Sequence, residues 1–177
     1  MGRDKAVIEI GGCSLIGRVA KALSDASLEP IRIAVSNPED IDGYGRTIDD
    51  EIEIEWVVDA ETHAGPIEAI IEAAFDNGGD SSPIQLSPVD VPWVTPELFL
   101  SLAETLEDDD MLAMPNDGVW SQPLLGLIRP KEVGEFLLRD RRPLHEQFSE
   151  ARHSLLMVDP EVIRNVNYPD DLEGYSP

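Results

Sequence analysis

Residues 84–102 read IQLSPVDVPWVTPELFLSL. In this segment Asp90 lies between two apolar residues, Val89 and Val91, and Pro92 follows. The apolar run at residues 84–86 predicts a strand, and the Thr-Pro-Glu at residues 95–97 has the residue types of a helix start. Asp90 is therefore predicted in a loop between a strand and a helix. A carboxylate there can hold a divalent metal ion, although an aspartate near a proline is also typical of an ordinary turn.

Two further apolar runs are each followed by a polar side chain that is able to bind a ligand. Residues 31–36 predict a strand that ends before Asn37, and residues 52–58 predict a strand that ends at Asp59. In open α/β sheets the carboxyl ends of parallel strands share one edge, and ligands bind there. Asn37, Asp59 and Asp90 are thus candidates for one shared site, while loop polarity and helix capping explain them equally well.

Strands alternate with amphipathic helices along the rest of the chain. Predicted strands cover residues 7–10, 31–36, 52–58, 84–86, 111–115, 124–128 and 154–158, and predicted helices cover 14–27, 67–77, 95–102, 130–140 and 143–150. This alternation predicts an α/β fold with a mostly parallel sheet. A length of 177 residues predicts a single domain that covers residues 1–177.

The charge balance is strongly acidic, with 36 Asp and Glu against 13 Lys and Arg and a net charge of −23. Such a chain lacks the basic face that nucleic-acid binding needs. An acidic composition with only three lysines resembles that of salt-adapted, halophilic proteins. No apolar run approaches the ~20 residues of a membrane span, so a cytoplasmic protein is expected. The single cysteine, Cys13, excludes an internal disulfide.

Five short motifs follow one another in order along nearly the whole chain. They are MGRDKA at residues 1–6, Asp59 with AGPIEAI at residues 64–70, DVP at residues 90–92, QPL at residues 122–124, and NVNYPDDL at residues 165–172. These motifs resemble the M-G-x-D-K-A, D…GPLAGI, D-x-P, Q/H-P-L and N-x-N-T-P-E-D-L of the molybdenum cofactor guanylyltransferases, the MobA-like nucleotidyltransferases. The resemblance implies a Rossmann-like three-layer sandwich that moves GMP from GTP onto molybdopterin cofactor and releases pyrophosphate.

The resemblance also implies roles for particular residues, with Mg²⁺ as the cofactor. The implied catalytic residues are Lys5, at the nucleotide phosphates, and Asp90, the Mg²⁺ ligand. The implied nucleotide contacts are Lys5, Asn37, Asp59, Gly65, Pro66 and Asp90. Asn165 and Asn167 are expected on the acceptor or metal side. Expected partners are GTP, molybdopterin cofactor and other cofactor-maturation proteins, with a monomer or a small homo-oligomer as the assembly.

One departure concerns the N-terminus, because the family has a strand and a glycine-rich phosphate loop directly before M-G-x-D-K-A. The sequence starts at Met1, inside that motif, so we expect the first strand to be missing from this chain. Either the natural chain starts upstream, or this is a truncated, non-catalytic homologue. Related alternatives are transfer from CTP to molybdopterin and transfer from GTP to a cobamide or phospholactate precursor.

Overall fold

The structure is a computed structural model that describes residues 4–59, 66–75, 82–137, 142–167 and 171. Its strands are β1 Glu9–Ile10, β2 Cys13–Ser14, β3 Ile31–Val35, β4 Ile54–Val58, β5 Ile84–Gln85, β6 Leu112–Asn116, β7 Leu127–Ile128 and β8 His153–Met157. Its α-helices are α1 Leu15–Asp25, α2 Ile41–Gly45, α3 Pro66–Phe75, α4 Pro96–Thr105, α5 Pro130–Leu137 and α6 Leu144–Glu150. None of the helices in these ranges is long and apolar enough to cross a membrane.

Two helices begin where the sequence predicts, because side chains bond the free backbone N–H groups of their first turns. The Ser14 hydroxyl accepts a hydrogen bond from the Gly17 N–H at 3.0 Å, and α1 follows. The Thr95 hydroxyl accepts from the Leu98 N–H at 3.3 Å, and Pro96 is the first residue of α4. The second of these caps fixes where the loop that carries Asp90 ends.

The strand pairs confirm the α/β prediction. The longest pairs, β3 with β4 and β6 with β8, are parallel. Strand β7 lies between β5 and β6 and is antiparallel to both. Residues 117–126 connect β6 to β7 without a crossover helix, and a parallel connection would require a longer segment. This short connection therefore allows β7 to pair with β6 only in the antiparallel direction.

Helices cover both faces of the four-stranded sheet, as a three-layer sandwich requires. Ala113 of β6 packs in a core with α1 and α4. Its neighbours Leu112 and Met114 point the other way, into a core with α3, α5 and α6. This alternation follows from the two-residue period of a strand, and the apolar, buried residues 112–115 are typical of a central strand.

Two predicted strands are shorter than expected, because local turns replace part of each. Lys5–Val7 forms a 3₁₀ turn in which the Asp4 carboxylate accepts from the Ala6 N–H, so the strand predicted at residues 7–10 is reduced to Glu9–Ile10. Pro123–Leu125 is also a 3₁₀ turn, and the strand predicted at residues 124–128 is reduced to Leu127–Ile128. Pro123 favours this turn because its ring fixes φ near the helical value.

A cavity of about 590 Å³ separates β3 from β5. Strand β3 pairs with β4 and strand β5 pairs with β7, but no strand in the described ranges joins β3 to β5. The walls are mainly apolar, with Ile31 and Ile33 of β3 facing Ile84 and Leu86, and with α1 and α3 behind them.

The acidic surface predicts that stability depends on salt. With 36 acidic and 13 basic side chains, at least 23 carboxylates have no basic partner in any one-to-one pairing. Raising the salt from 0.1 to 1 M shortens the Debye length from ~10 to ~3 Å and screens their mutual repulsion. We expect the Tm, followed by circular dichroism, to rise by roughly 10 °C over this range, which corresponds to a few kcal/mol.

Comparing the Tm in two different salts separates ion-specific effects on stability from charge screening. Below about 0.3 M, where screening dominates, KCl and KSCN should stabilise the chain equally, because screening depends only on ionic strength. A Tm that does not respond to either salt would contradict the halophilic interpretation.

Candidate active site

Asp90 lies in the loop between β5 and α4, where the sequence places it. Its backbone carbonyl accepts a hydrogen bond from the Val166 N–H at 2.7 Å. Its carboxylate oxygen Oδ2 accepts from the Asn165 side-chain amide at 3.5 Å. The next residue, Val91, is fully buried in the core beneath α4. The loop is thus fixed by backbone and core contacts, while the carboxylate lines a small cavity of about 210 Å³.

The segment of residues 163–167 closes one side of this site. Ile163 and Val166 are buried in two different core clusters. The side chain of Asn165 bonds Asp90, and Asn167 Oδ1 accepts from Lys5 Nζ at 3.1 Å. Lys5, Asp90, Asn165 and Asn167 come from three distant parts of the chain and form one group here.

Gln122 also belongs to this group, although the sequence identified it only as part of a motif. Its side-chain amide donates to Asn165 Oδ1 at 3.3 Å. The loop before it is held by Asn116, which donates to the Ser121 hydroxyl at 2.9 Å. In the same loop the N–H groups of residues 120 and 119 donate to Asp117 and lower the pKa of that carboxyl.

A second group of polar side chains stands at the ends of β3 and β4. The parallel register pairs Val35 with Val58, so the residues that follow both strands lie side by side. Ser36 donates to Asp59 Oδ2 at 3.0 Å, whereas Asp59 Oδ1 is buried and accepts no hydrogen bond from any described residue. Asn37 is more exposed, and its side chain donates to Asp40 at 3.2 Å.

The large cavity between β3 and β5 reaches toward both polar groups. Its lining includes Ala34, near the end of β3, and Pro88, which also lines the small cavity beside Asp90. Asp4 and Tyr44 line it as well, and the Tyr44 hydroxyl donates to the Asp4 carboxylate. Burial and this hydrogen bond raise the pKa of Tyr44 above its usual value.

The structure therefore brings the predicted residues together as two groups. Lys5, Asp90, Asn165 and Asn167 form the first, and Asn37 and Asp59 form the second. No hydrogen bond joins the two groups in the part of the chain that the structure describes. Pro66 is the first residue of α3. Gly65 lies outside the described residues.

The side chains around Asp90 fit a metal ion that is bound together with a phosphorylated ligand. Within the described ranges, no three His, Cys, Asp or Glu side chains are close enough to hold a metal by themselves. Mg²⁺ is commonly bound by one or two carboxylates, while water and substrate phosphates complete its coordination. Asp90 would supply one carboxylate, and the Asn165 amide bonds one of its two oxygens.

Lys5, in the 3₁₀ turn before β1, and Asp90, in the loop after β5, are of the residue types that can balance phosphate charge and hold a metal ion. Residues 1–152 match the family of the MobA-like NTP transferase domain, and the chain belongs to this family. Its members are nucleotidyltransferases. The comparison thus confirms the family that the five sequence motifs indicated.

Individual relatives agree with this assignment. A molybdenum cofactor guanylyltransferase of Photobacterium profundum is 25% identical over 181 residues, which are 98% of this chain and 87% of the relative. Molybdopterin-guanine dinucleotide biosynthesis protein A of Archaeoglobus fulgidus has a similar structure, with a TM-score of 0.70 and 21% identity over 97% of this chain and 88% of that one. The 4-diphosphocytidyl-2C-methyl-D-erythritol synthase of Anaerococcus prevotii has a TM-score of 0.74 and 11% identity over 94% and 89%. The two structures show that the fold is shared.

Proposed function

We propose that the protein transfers GMP from GTP to the phosphate of molybdopterin cofactor in a Mg²⁺-dependent reaction. The observation that carries this proposal is the convergence of Lys5, Asp90 and Asn167, each from a different family motif, on one site. The guanylyltransferase of P. profundum, which aligns with 98% of this chain, supports the same activity.

The reaction is a displacement at the α-phosphorus of GTP. An oxygen of the acceptor phosphate forms a bond to this phosphorus with its lone pair. The bond to the bridging oxygen breaks, and pyrophosphate leaves with the electron pair. The acceptor phosphate is already anionic, so no general base is needed. Catalysis then depends on positioning and on neutralising phosphate charge.

The residues of the first group have distinct tasks in this reaction. Lys5 supplies a positive charge to the phosphates, and its bond to Asn167, two residues from Asn165, supports this role. Asp90 and the phosphates would hold Mg²⁺, which when bound neutralises charge on the phosphates and on the leaving pyrophosphate. Asn165 holds one oxygen of the Asp90 carboxylate.

Asp59 is the residue that we propose for guanine selection. Guanine presents N1–H and the 2-amino group side by side, and a carboxylate accepts from both. Adenine and cytosine present an acceptor nitrogen in place of N1–H. Asp59 Oδ1 is buried with no donor among the described residues, while Ser36 fixes Oδ2. A buried acceptor of this kind is stabilised when a ligand donates to it.

The variant Asp59→Asn tests this selection. The amide that it introduces would place an N–H group toward the guanine donors, and the loss of charged hydrogen bonds should weaken GTP binding on the order of 10²-fold. Titration calorimetry with GTP, CTP and ATP in Mg²⁺ buffer measures this effect. Asp108→Asn, in the exposed acidic turn after α4, is the matched control and should bind GTP like the unmodified chain. Tighter binding of CTP than of GTP by the unmodified chain would overturn the guanine assignment.

The transfer itself is tested with the proposed acceptor. Molybdopterin cofactor, Mg²⁺ and either GTP or CTP are incubated with the protein, and the products are identified by mass spectrometry. We expect the guanine dinucleotide and pyrophosphate. A cytosine dinucleotide would assign the protein to the cytidylyl alternative, and binding of GTP without any product would favour the non-catalytic one.

A further inference from the structure

We propose that Gln122 positions the Asp90 carboxylate for metal binding by fixing the orientation of the Asn165 side-chain amide. The three side chains form a chain of hydrogen bonds, from Gln122 Nε2 to Asn165 Oδ1 at 3.3 Å and from Asn165 Nδ2 to Asp90 Oδ2 at 3.5 Å. They also line the same small cavity. This inference rests on the proposed metal-dependent function, and it makes Gln122 a positioning residue.

The direction of these hydrogen bonds determines how Asn165 is turned. An amide has a donor side and an acceptor side, and Gln122 offers a donor while Asp90 offers only acceptors. Rotating the Asn165 amide by half a turn would place its oxygen against the carboxylate and its NH₂ against the NH₂ of Gln122. Both contacts would be repulsive, so only the observed orientation satisfies both neighbours.

The backbone around both amides is held independently of this hydrogen-bond chain. The Gln122 N–H donates to the Pro115 carbonyl at 3.0 Å, and the Leu125 N–H donates to the Gln122 carbonyl at 3.0 Å. Asn165 precedes Val166, which is buried and bonds the Asp90 backbone. Removing the Gln122 amide therefore removes one of the two hydrogen bonds of the Asn165 side chain, while the bond to Asp90 and the backbone contacts of both loops remain.

The consequence concerns the second oxygen of the carboxylate. Asn165 holds Oδ2, and no described residue hydrogen-bonds Oδ1 of Asp90. With one oxygen held, the other is oriented for a metal ion before the ligand arrives. Loss of an outer partner of a metal-binding carboxylate commonly weakens metal binding by ~10–100-fold. We expect an effect of this size when the Gln122 donor is removed.

The test compares three variants that differ in one donor group. Gln122→Met keeps the length of the side chain and removes the donor, whereas Gln122→His retains an N–H that can reach Asn165. Gln85→Met is the matched control, because Gln85 donates to backbone carbonyls, including that of Leu125, and not to Asn165. All variants are made in the full chain.

Two measurements separate orientation from metal binding. The first is the side-chain ¹⁵N–¹H resonance of Asn165 and its exchange with solvent, recorded without metal. The second is the affinity for Mn²⁺ in the presence of GTP, measured by electron paramagnetic resonance. We expect Gln122→Met to shift the Asn165 resonance, speed its exchange and weaken Mn²⁺ binding ~10–100-fold. Gln122→His and Gln85→Met should behave like the unmodified chain in both measurements.

Each outcome bears on a different step of the argument. An unchanged Asn165 resonance in Gln122→Met would overturn the orienting role. A shifted resonance with unchanged Mn²⁺ affinity would overturn the connection from Asn165 to Asp90. If the unmodified chain bound no Mn²⁺ with GTP, the proposed function would fail, while the resonance would still decide whether Gln122 orients Asn165.

Discussion

The variant Asp90→Asn is expected to lose nucleotidyl transfer on the order of 10³-fold, a loss typical of removing a group that stabilises transition-state charge. Asparagine has the shape of aspartate but lacks the negative charge with which Asp90, in the proposed function, would hold Mg²⁺. The fold should survive, because Val166 bonds the backbone of residue 90 and the buried Val91 anchors the loop. The loss is therefore expected in turnover at unchanged Tm.

Single-turnover assays with saturating GTP measure this loss without a contribution from product release. Asp108→Asn removes one carboxylate from an exposed turn and should leave the rate unchanged. Titration with Mn²⁺ adds a second measurement, since Asp90→Asn should bind it much more weakly than the control does in the presence of GTP. Undiminished transfer by Asp90→Asn would show that Asp90 is not the metal ligand.

The positions of the site residues follow from local sequence signals that also determine the fold. An apolar run followed by Asp90 and then by Thr95 and Pro96 specifies strand, loop and helix, and the structure has all three. The same reasoning placed Asn37 and Asp59 directly after two neighbouring parallel strands, and the register of β3 and β4 puts Ser36 beside Asp59, while Asn37 is exposed and bonds Asp40. Such signals are reliable because strand ends and helix caps depend on residues only a few positions apart.

Contacts between distant segments could not be predicted in this way. The bond from Gln122 to Asn165 joins loops 43 positions apart, and it depends on how β6 and residues 163–167 pack. The bond between Tyr44 and Asp4 likewise requires α2 to lie beside the first turn of the chain. Single-residue types gave no sign of either contact, and Gln122 was identified only as part of the QPL motif at residues 122–124.

The lengths of the short strands also could not be predicted from the sequence. Apolar periodicity is the same for a strand and for a brief 3₁₀ turn when only three to five residues are involved. At residues 5–7 the Asp4 side chain stabilises the 3₁₀ turn by accepting a hydrogen bond from the Ala6 N–H. At residues 123–125 Pro123 favours the 3₁₀ turn. In the first segment one hydrogen bond, and in the second the proline ring, has a larger effect on the backbone than a weak apolar pattern does.

The cavity between β3 and β5 leads to the second large prediction, a gain of stability when a strand fills it. Strand β3 has one edge against β4 and the other toward the cavity, and its only partner in the described ranges is β4. Parallel pairs of two strands are rarely stable alone, and apolar side chains such as Ile33 and Ile84 border the space. An added strand would bury these side chains and bond the backbone on both sides.

An N-terminal extension with a five-residue apolar strand, matched in length to β3, should therefore raise the Tm. Apolar burial of ~2 kcal/mol per residue is set against ~1–2 kcal/mol per residue of ordering entropy, which leaves up to ~5 kcal/mol in total, and a surplus of ~2–3 kcal/mol corresponds to roughly 5–10 °C. If the connection to residue 1 is rich in glycine, its N–H groups can also bind phosphates, and GTP affinity should rise with stability.

The control for this prediction is an extension of equal length made of Gly and Ser, which offers the same reach without apolar side chains to bury. Hydrogen exchange at β3 identifies the site of the effect, because pairing should protect amides of residues 31–35 only in the apolar extension. Equal Tm values for the two extensions would mean that the cavity does not accept a strand.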